Sequence, residues 1–150
     1  MTETKHFDRS AATWDMAERR VALAHAVAEA IAARVALSRE QALLDFGCGT
    51  GLVTLALAPR VGSITGADTS SEMLKILEAK AEVQATPVQL LLLDTAGLED
   101  LGGPYDLIVS SMTLHHIADV PALFRQFARH LRPGGRVALA DLDEEDGSFH

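Results

Sequence analysis

The chain has 150 residues, of which 48% are hydrophobic and 23% charged, and its formal net charge is −8. This composition fits one soluble globular domain. The acidic balance argues against a nucleic-acid or anionic-membrane surface, since both need clustered Lys and Arg. Cys48 stands alone, which excludes an internal disulfide and indicates a reducing, cytoplasmic compartment. Residues 1–8 do not resemble a signal peptide, and residues 21–37 are too short and too charged to span a bilayer.

An alternation of strands and helices follows a first long helix. Residues 1–17 look like an irregular arm, and apolar residues at spacings of three and four predict a helix over 16–37. The apolar run 88–93 is typical of a strand buried on both faces. Five strands separated by helices indicate an α/β fold, a doubly wound, mainly parallel, Rossmann-like sheet. The predicted strands are 42–46, 63–67, 88–93, 106–111 and 136–141, and the predicted helices are 51–59, 70 or 71 to about 80, and 119 or 120 to 131.

A glycine-rich turn follows the first predicted strand. Gly47, Gly49 and Gly51 alternate with other residues, and Asp45 comes just before them. In a parallel sheet a ligand lies beyond the carboxyl end of such a strand, so the turn predicts a nucleotide-like cofactor. The dinucleotide fingerprint would need a further glycine where Leu52 stands, and an acid ahead of the loop suits a positively charged cofactor instead. The alternative is a turn without a ligand, in which the glycines serve packing alone.

The segment from Asp45 to Gly51 resembles the first motif of class I S-adenosylmethionine-dependent methyltransferases. Residues 7–15 resemble the amino-terminal arm of small-molecule members of the ubiquinone and menaquinone biosynthesis type. The resemblance implies S-adenosylmethionine as cofactor and S-adenosylhomocysteine as product. The residues that we assign to the cofactor are Phe7, Trp14, Asp45, Gly47, Cys48, Gly49, Gly51, Asp68, Thr69, Met73, Asp94, Thr95 and Ser110.

Asp68 and Asp94, at the ends of the second and third strands, are the acids with the most definite roles. The resemblance implies that Asp68 binds the ribose hydroxyls and that Asp94 lies near the adenine amino group. An aspartate at such a position also caps a helix or closes a turn, so Asp68 could instead cap the following helix and Asp94 could belong to a turn.

The remaining cofactor residues have structural alternatives as well. Met73 would pack against the adenine face or in the core. Ser110 would approach the methionine part or close a local backbone hydrogen bond. Phe7 and Trp14 would exclude water and contact the sulfonium, because aromatic faces attract cations, although Trp14 could be ordinary core. Cys48 fits best as a small residue in a tight turn.

The two histidines after the fourth strand are the candidate catalytic residues. His115 or His116 could remove a proton from an acceptor, since neutral imidazole is available at pH 7. The alternative is a structural or surface pair. Together with Asp119 they fit no established metal spacing, and the acidic run 141–146 lacks the spacing of a calcium loop. We therefore predict no metal site.

The resemblance covers residues 7–141, although family members usually continue past the fifth strand into a seven-stranded sheet. We therefore expect a truncated form or fragment: one domain over 1–150, with an arm and helix (1–40), a cofactor-binding core (41–141) and an acidic tail (142–150). An exposed fifth strand would favour self-association, and the alternative is loose order beyond residue 141. The predicted function is methyl transfer to a small-molecule acceptor by direct displacement. The alternatives are a non-catalytic cofactor-binding module and a nicotinamide dehydrogenase.

Overall fold

The computed structural model describes residues 18–94, 99–111, 113 and 117–140. They form a sheet of five strands in the order β3-β2-β1-β4-β5, with every neighbouring pair parallel. The chain therefore runs outward from β1 in both directions, which confirms the predicted doubly wound fold. The strands are β1 (Ala42–Phe46), β2 (Ser63–Asp68), β3 (Gln89–Leu92), β4 (Tyr105–Ser111) and β5 (Leu131–Ala140), and the α-helices are α1 (Glu18–Arg34), α2 (Leu52–Leu57), α3 (Ser71–Val83) and α4 (Val120–Arg129).

Helices cover both faces of the sheet, so successive residues of β1 enter different hydrophobic clusters. Leu43 packs with the apolar stripe of α1 and with α2. Leu44 and Phe46 pack on the other face with α4, where the Phe46 and Phe127 rings meet edge to face at 5.2 Å. A strand buried on both faces must be apolar at nearly every position, which explains the sequence of β1 and makes its one acid, Asp45, conspicuous.

Helices α3 and α4 begin at side chains that accept from their free backbone N–H groups. The Ser70 hydroxyl accepts from the Met73 N–H at 3.2 Å, and the Asp119 carboxylate accepts from the Ala122 N–H at 3.0 Å. The predicted starts of α3 and α4 are therefore confirmed.

Several predicted boundaries were wrong by a few residues. Helix α1 ends at Arg34 rather than residue 37, and α2 gives way to a 3₁₀ turn at Ala58–Arg60, where Pro59 stands. Helix α4 ends at Arg129 rather than residue 131. Strand β5 begins at Leu131 and ends at Ala140 instead of covering 136–141, and its register with β4 shifts between Tyr105 and Leu107. That irregularity accommodates the Pro133-Gly134-Gly135 segment within the strand.

Strand β3 differs from its prediction in burial. The run 88–93 was expected to be buried on both faces, but among the described strands β3 pairs with β2 alone, at the edge of the sheet, and its Leu92 is 53% exposed. An apolar run shows that a strand is favourable, but it does not reveal how many neighbouring strands will cover it. Strand β5 forms the other edge of the described sheet, as expected.

Candidate functional site

The glycine loop adopts backbone φ angles that residues with a side chain rarely adopt. Gly47 has φ +75° and Gly51 has φ +87°, both in the left-handed region. A Cβ at Gly47 would overlap the Thr113 side chain, and one at Gly51 would overlap Leu77. The loop is therefore pressed between the segment after β4 and helix α3, at the carboxyl edge of the sheet.

Asp68 joins the glycine loop to the turn before α3. One carboxylate oxygen accepts from the Gly49 N–H at 2.8 Å and the other from the Ser70 N–H at 3.0 Å. Its alternative role as the cap of α3 is wrong, because the Ser70 hydroxyl performs that task. Asp68 is half-buried, so its position beside the loop is held by backbone donors while part of the side chain is accessible.

Asp45 lies within β1 and is only 1% exposed. Its Oδ2 accepts a hydrogen bond from the Thr54 hydroxyl at 2.6 Å. Burial raises the pKa of Asp45 to about 7; the Thr54 hydrogen bond opposes this rise and the charge of Asp68 adds to it. The site therefore contains an acid that titrates near neutrality.

Sequence reasoning missed Thr54 as a partner of Asp45. Its signal was weak: α2 reads Leu-Val-Thr-Leu-Ala-Leu, and Thr54 is its one hydroxyl residue. A fully buried hydroxyl needs a hydrogen-bond partner, so a lone threonine on an apolar helix beside a buried acid was the available clue.

Cys48 does not act as a reactive thiol in this arrangement. Burial raises the pKa of its thiol well above the usual range, and the charges of Asp45 and Asp68 raise it further. The Cys48 N–H donates to the Ala67 carbonyl at 3.0 Å, as the Gly47 N–H does at 2.8 Å. These contacts agree with its interpretation as a small residue of a tight turn.

Met73 and Ser110 are buried around the loop. Met73 stands in the first turn of α3, with its Sδ 3.9 Å from the position of a Cβ built on Gly49. The Ser110 hydroxyl donates to the Phe46 carbonyl at 2.9 Å, a backbone hydrogen bond that reaches the neighbouring strand β1 rather than the local one predicted as its alternative role. Thr69 is half-buried in the turn between Asp68 and Ser70.

The end of β3 approaches the same edge. The Leu93 N–H donates to the Asp68 carbonyl at 2.8 Å, which brings the exposed Asp94 next to the end of β2. The Glu99 carboxylate accepts from the backbone N–H of Asp94. Asp45, Asp68 and Asp94 are therefore gathered at the carboxyl edge, as the sequence predicted.

Thr113 is a further residue of the site that the sequence did not assign. Its hydroxyl lies 3.1 Å from the Ser111 carbonyl oxygen and 3.4 Å from that of Gly47, so the chain after β4 returns to the loop. Five assigned residues lie outside the described residues: Phe7, Trp14, Thr95, His115 and His116.

Two features are absent from the part of the chain that the structure describes. Over 18–94, 99–111, 113 and 117–140, no group of three or more His, Cys, Asp or Glu side chains could hold a metal ion. Within the same ranges no helix is long and apolar enough to cross a membrane.

A parallel sheet with a glycine loop and acids at its carboxyl edge defines an α/β domain that binds a nucleotide-like cofactor. The family model described as a methyltransferase domain matches residues 16–149. The chain therefore belongs to the methyltransferase-domain family, within the class I S-adenosylmethionine-dependent methyltransferases, and the predicted resemblance is confirmed. S-adenosylmethionine is the cofactor of this family.

Named relatives agree with this assignment. The biotin biosynthesis bifunctional protein BioCD of Bordetella avium is 39% identical over 146 residues, which cover 94% of this chain and 30% of that protein. The ubiquinone biosynthesis O-methyltransferase of Rhizobium etli is 30% identical over 101 residues, covering 67% of this chain and 41% of that protein. The chain thus spans less than half the length of these two relatives.

A solved structure supports the same fold. The crystal structure of an S-adenosylmethionine-dependent methyltransferase from Clostridium acetobutylicum aligns with a TM-score of 0.63 at 26% identity. The alignment covers 75% of this chain and 46% of that one.

Proposed function

We propose that this chain binds S-adenosylmethionine at the glycine loop and transfers its methyl group to a small-molecule acceptor. The observation that carries the proposal is Asp68, whose carboxylate two backbone N–H groups hold beside the loop. A carboxylate at the end of the second strand of such a sheet suits the vicinal hydroxyls of a ribose, each of which donates one hydrogen bond to an oxygen acceptor.

The residues at this edge fit such a cofactor. The charge of Asp68 disfavours the anionic form of Asp45, so a ligand with positive charge would relieve an unfavourable interaction already present in the protein. Among the described residues other than its chain neighbours, the atom nearest to the position of a Cβ on Gly49 is the Met73 sulfur, at 3.9 Å, so these residues leave room for a ligand beside the middle of the loop. An acidic site of this kind would repel a pyrophosphate, which argues against the dehydrogenase alternative.

The protein's task in this chemistry is alignment. When bound, S-adenosylmethionine supplies a methyl group on a positively charged sulfur, a leaving group that needs no further activation. The glycine loop and Asp68 would fix its ribose and amino-acid parts, and Asp94 would contact the adenine. Phe7 and Trp14 would exclude water, and His115 or His116 would take a proton from the acceptor. Self-association through the edge of β5 and a cytoplasmic location stay predictions of the sequence.

Calorimetric titration with S-adenosylhomocysteine tests the proposal. We expect micromolar or tighter binding to the wild-type protein and binding about 10- to 100-fold weaker to Asp68→Ala, because a hydrogen bond to a charged group contributes about 1.5–3 kcal/mol. Asp106→Asn is the matched control, since Asp106 lies at the opposite edge of the sheet and its replacement should leave the affinity unchanged.

Two outcomes would contradict the proposal. A folded wild-type protein that binds no S-adenosylhomocysteine, or that prefers NAD, would overturn the assigned ligand. Equal affinities of wild type and Asp68→Ala would overturn the role of Asp68. If binding is found, an acceptor screen with methyl transfer as its readout separates the enzyme from a non-catalytic binding module.

A further inference from the structure

Thr54 is the residue of this site whose burial has no evident structural purpose. It is 0% exposed, and its hydroxyl donates to Asp45 across a distance of 2.6 Å. Valine has nearly the same shape and would fill the same space without a polar group. A threonine at this position therefore serves the carboxyl group that it contacts.

Among the described residues, Thr54 is the one whose contact with Asp45 favours the ionised carboxylate. Asp68 at the end of β2 disfavours the negative charge of Asp45, and Cys48 in the loop carries a neutral thiol. Helix α2 contains no titratable residue, and the residue of β4 that pairs with Asp45 is Val109. A hydrogen bond donated to a carboxylate stabilises its ionised form relative to the protonated one.

We propose that Thr54 is a positioning residue for the ligand of the glycine loop: its hydroxyl fixes one oxygen of Asp45 and favours the anionic carboxylate that attracts a positively charged ligand. The inference rests on the proposed function, because it assumes that the ligand carries the ammonium group of an amino acid. Because ligand binding would then follow the ionisation of Asp45, it should depend on pH, and the hydrogen bond from Thr54 should lower the midpoint of that dependence.

The sign of the effect follows from the hydrogen bond. Ligand binding should strengthen as pH rises through about 7, where Asp45 loses its proton. Without the Thr54 hydroxyl the pKa of Asp45 rises further, so the midpoint moves to higher pH. A shift of one unit would leave about a tenth of Asp45 ionised at pH 7 instead of half, which weakens binding about fivefold.

The experiment is calorimetric titration from pH 6 to 8.5 with two ligands. S-adenosylhomocysteine carries the ammonium group, whereas 5′-methylthioadenosine lacks the amino-acid part. We expect Thr54→Val to raise the pH midpoint for S-adenosylhomocysteine by about one unit. Thr54→Ser, which keeps the hydroxyl, should retain the wild-type midpoint. Neither variant should change the affinity for 5′-methylthioadenosine.

Thr65→Val is the matched control for removing a buried hydroxyl. Thr65 is 8% exposed and its hydroxyl lies 3.3 Å from Gln89 Oε1, so it touches neither Asp45 nor Thr54 in the described contacts. Its replacement should leave the pH midpoint in place. An equal shift in Thr65→Val would mean that the effect reflects general loosening of the sheet, and the inference would fail.

A direct measurement separates this inference from the proposed function. The ¹³C carboxyl signal of Asp45, assigned by its loss in Asp45→Asn, should titrate at higher pH in Thr54→Val than in wild type without any ligand. If that signal shifts but no ligand binds, the proposed function is overturned, whereas the effect of Thr54 on Asp45 still holds. If S-adenosylhomocysteine binds wild type and Thr54→Val with the same pH midpoint, the inference about Thr54 is overturned.

Discussion

Acids lie at both ends of the parallel strands, and their surroundings differ. We call the side where the strands end the carboxyl edge and the side where they begin the amino edge. At the carboxyl edge, Asp45 is buried and its pKa is raised by burial and by the charge of Asp68. At the amino edge, Asp106 accepts from the Ala42 N–H at 2.8 Å and from Arg132 at 2.7 Å. There, too, the Gly102 N–H and the His130 ring hold the pKa of Asp100 below its usual value. The contacts of the amino-edge acids stabilise the fold, whereas the buried charge of Asp45 at the carboxyl edge opposes it, which is typical of a binding site.

Two open clefts of the described structure do not lie beside the acids of the carboxyl edge. Two clefts of about 260 and 440 Å³ lie at the amino edge, lined by residues around Asp106 and Gly134 and by residues between Pro59 and Gln89. Their polar groups already have protein partners: Asp106 binds Arg132, and Arg39 donates to the Pro59 carbonyl. We therefore place the site by its unfavourable charges and glycine geometry rather than by the size of a cleft.

The largest expected effect concerns Asp45. Between pH 4 and 7 the native state retains a proton that the unfolded chain has released, so the free energy of unfolding falls as pH rises. Asp45→Asn removes this titration and keeps an acceptor for Thr54. The free energy of unfolding of the variant minus that of wild type should therefore be larger at pH 8 than at pH 4. At about 1.4 kcal/mol per pKa unit, the increase should be up to about 4 kcal/mol. Urea denaturation at both pH values measures this, and a difference independent of pH would contradict it.

The glycine loop gives the next largest effect. Gly51→Ala combines a left-handed backbone with an overlap against Leu77, and should lower the free energy of unfolding by about 3 kcal/mol. Gly134→Ala at the amino edge is the control: φ is +81°, but no atom of the described residues lies within 4 Å of the new Cβ, so the cost should be only about 1 kcal/mol. Equal losses in urea denaturation would show that α3 does not press on the loop.

A smaller effect is expected at Asp106. Asp106→Ala leaves the Ala42 N–H, at the start of β1, without its acceptor and should cost about 1–3 kcal/mol. Arg132→Gln removes only the ion pair, which is partly exposed, and should cost less than about 1 kcal/mol. Thermal unfolding measures both, and S-adenosylhomocysteine binding should change in neither. Weaker binding in Asp106→Ala would remove the functional distinction between the two edges.

The sequence predicted the elements because each has a local signal. The bounds of β1 follow from an apolar run that ends in glycine, and the start of α3 follows from the hydroxyl of Ser70. The edge position of β3 had no such signal, since it depends on strand order rather than on its own residues.

Only part of the site was predictable, because some of its contacts have no local signal in the sequence. Asp68 and Asp94 could be placed because parallel strands end at one edge. The partners of their neighbours were not predictable: Thr54 reaches Asp45, and Thr113 reaches Gly47, only through the folded geometry of the loop. Whether Ser110 bonds a ligand or the Phe46 carbonyl also depends on the register between adjacent strands.

The hydrogen bonds within the glycine loop have a consequence for the thermodynamics of ligand binding. Gly47 and Cys48 both donate to the Ala67 carbonyl, Gly49 donates to Asp68, and Gly51 donates to the Cys48 carbonyl. Four backbone donors of the loop are thus satisfied before any ligand arrives. The conformational entropy of the loop is lost during folding rather than during association, so a ligand meets a preorganised receptor and its binding energy is not spent on ordering the backbone.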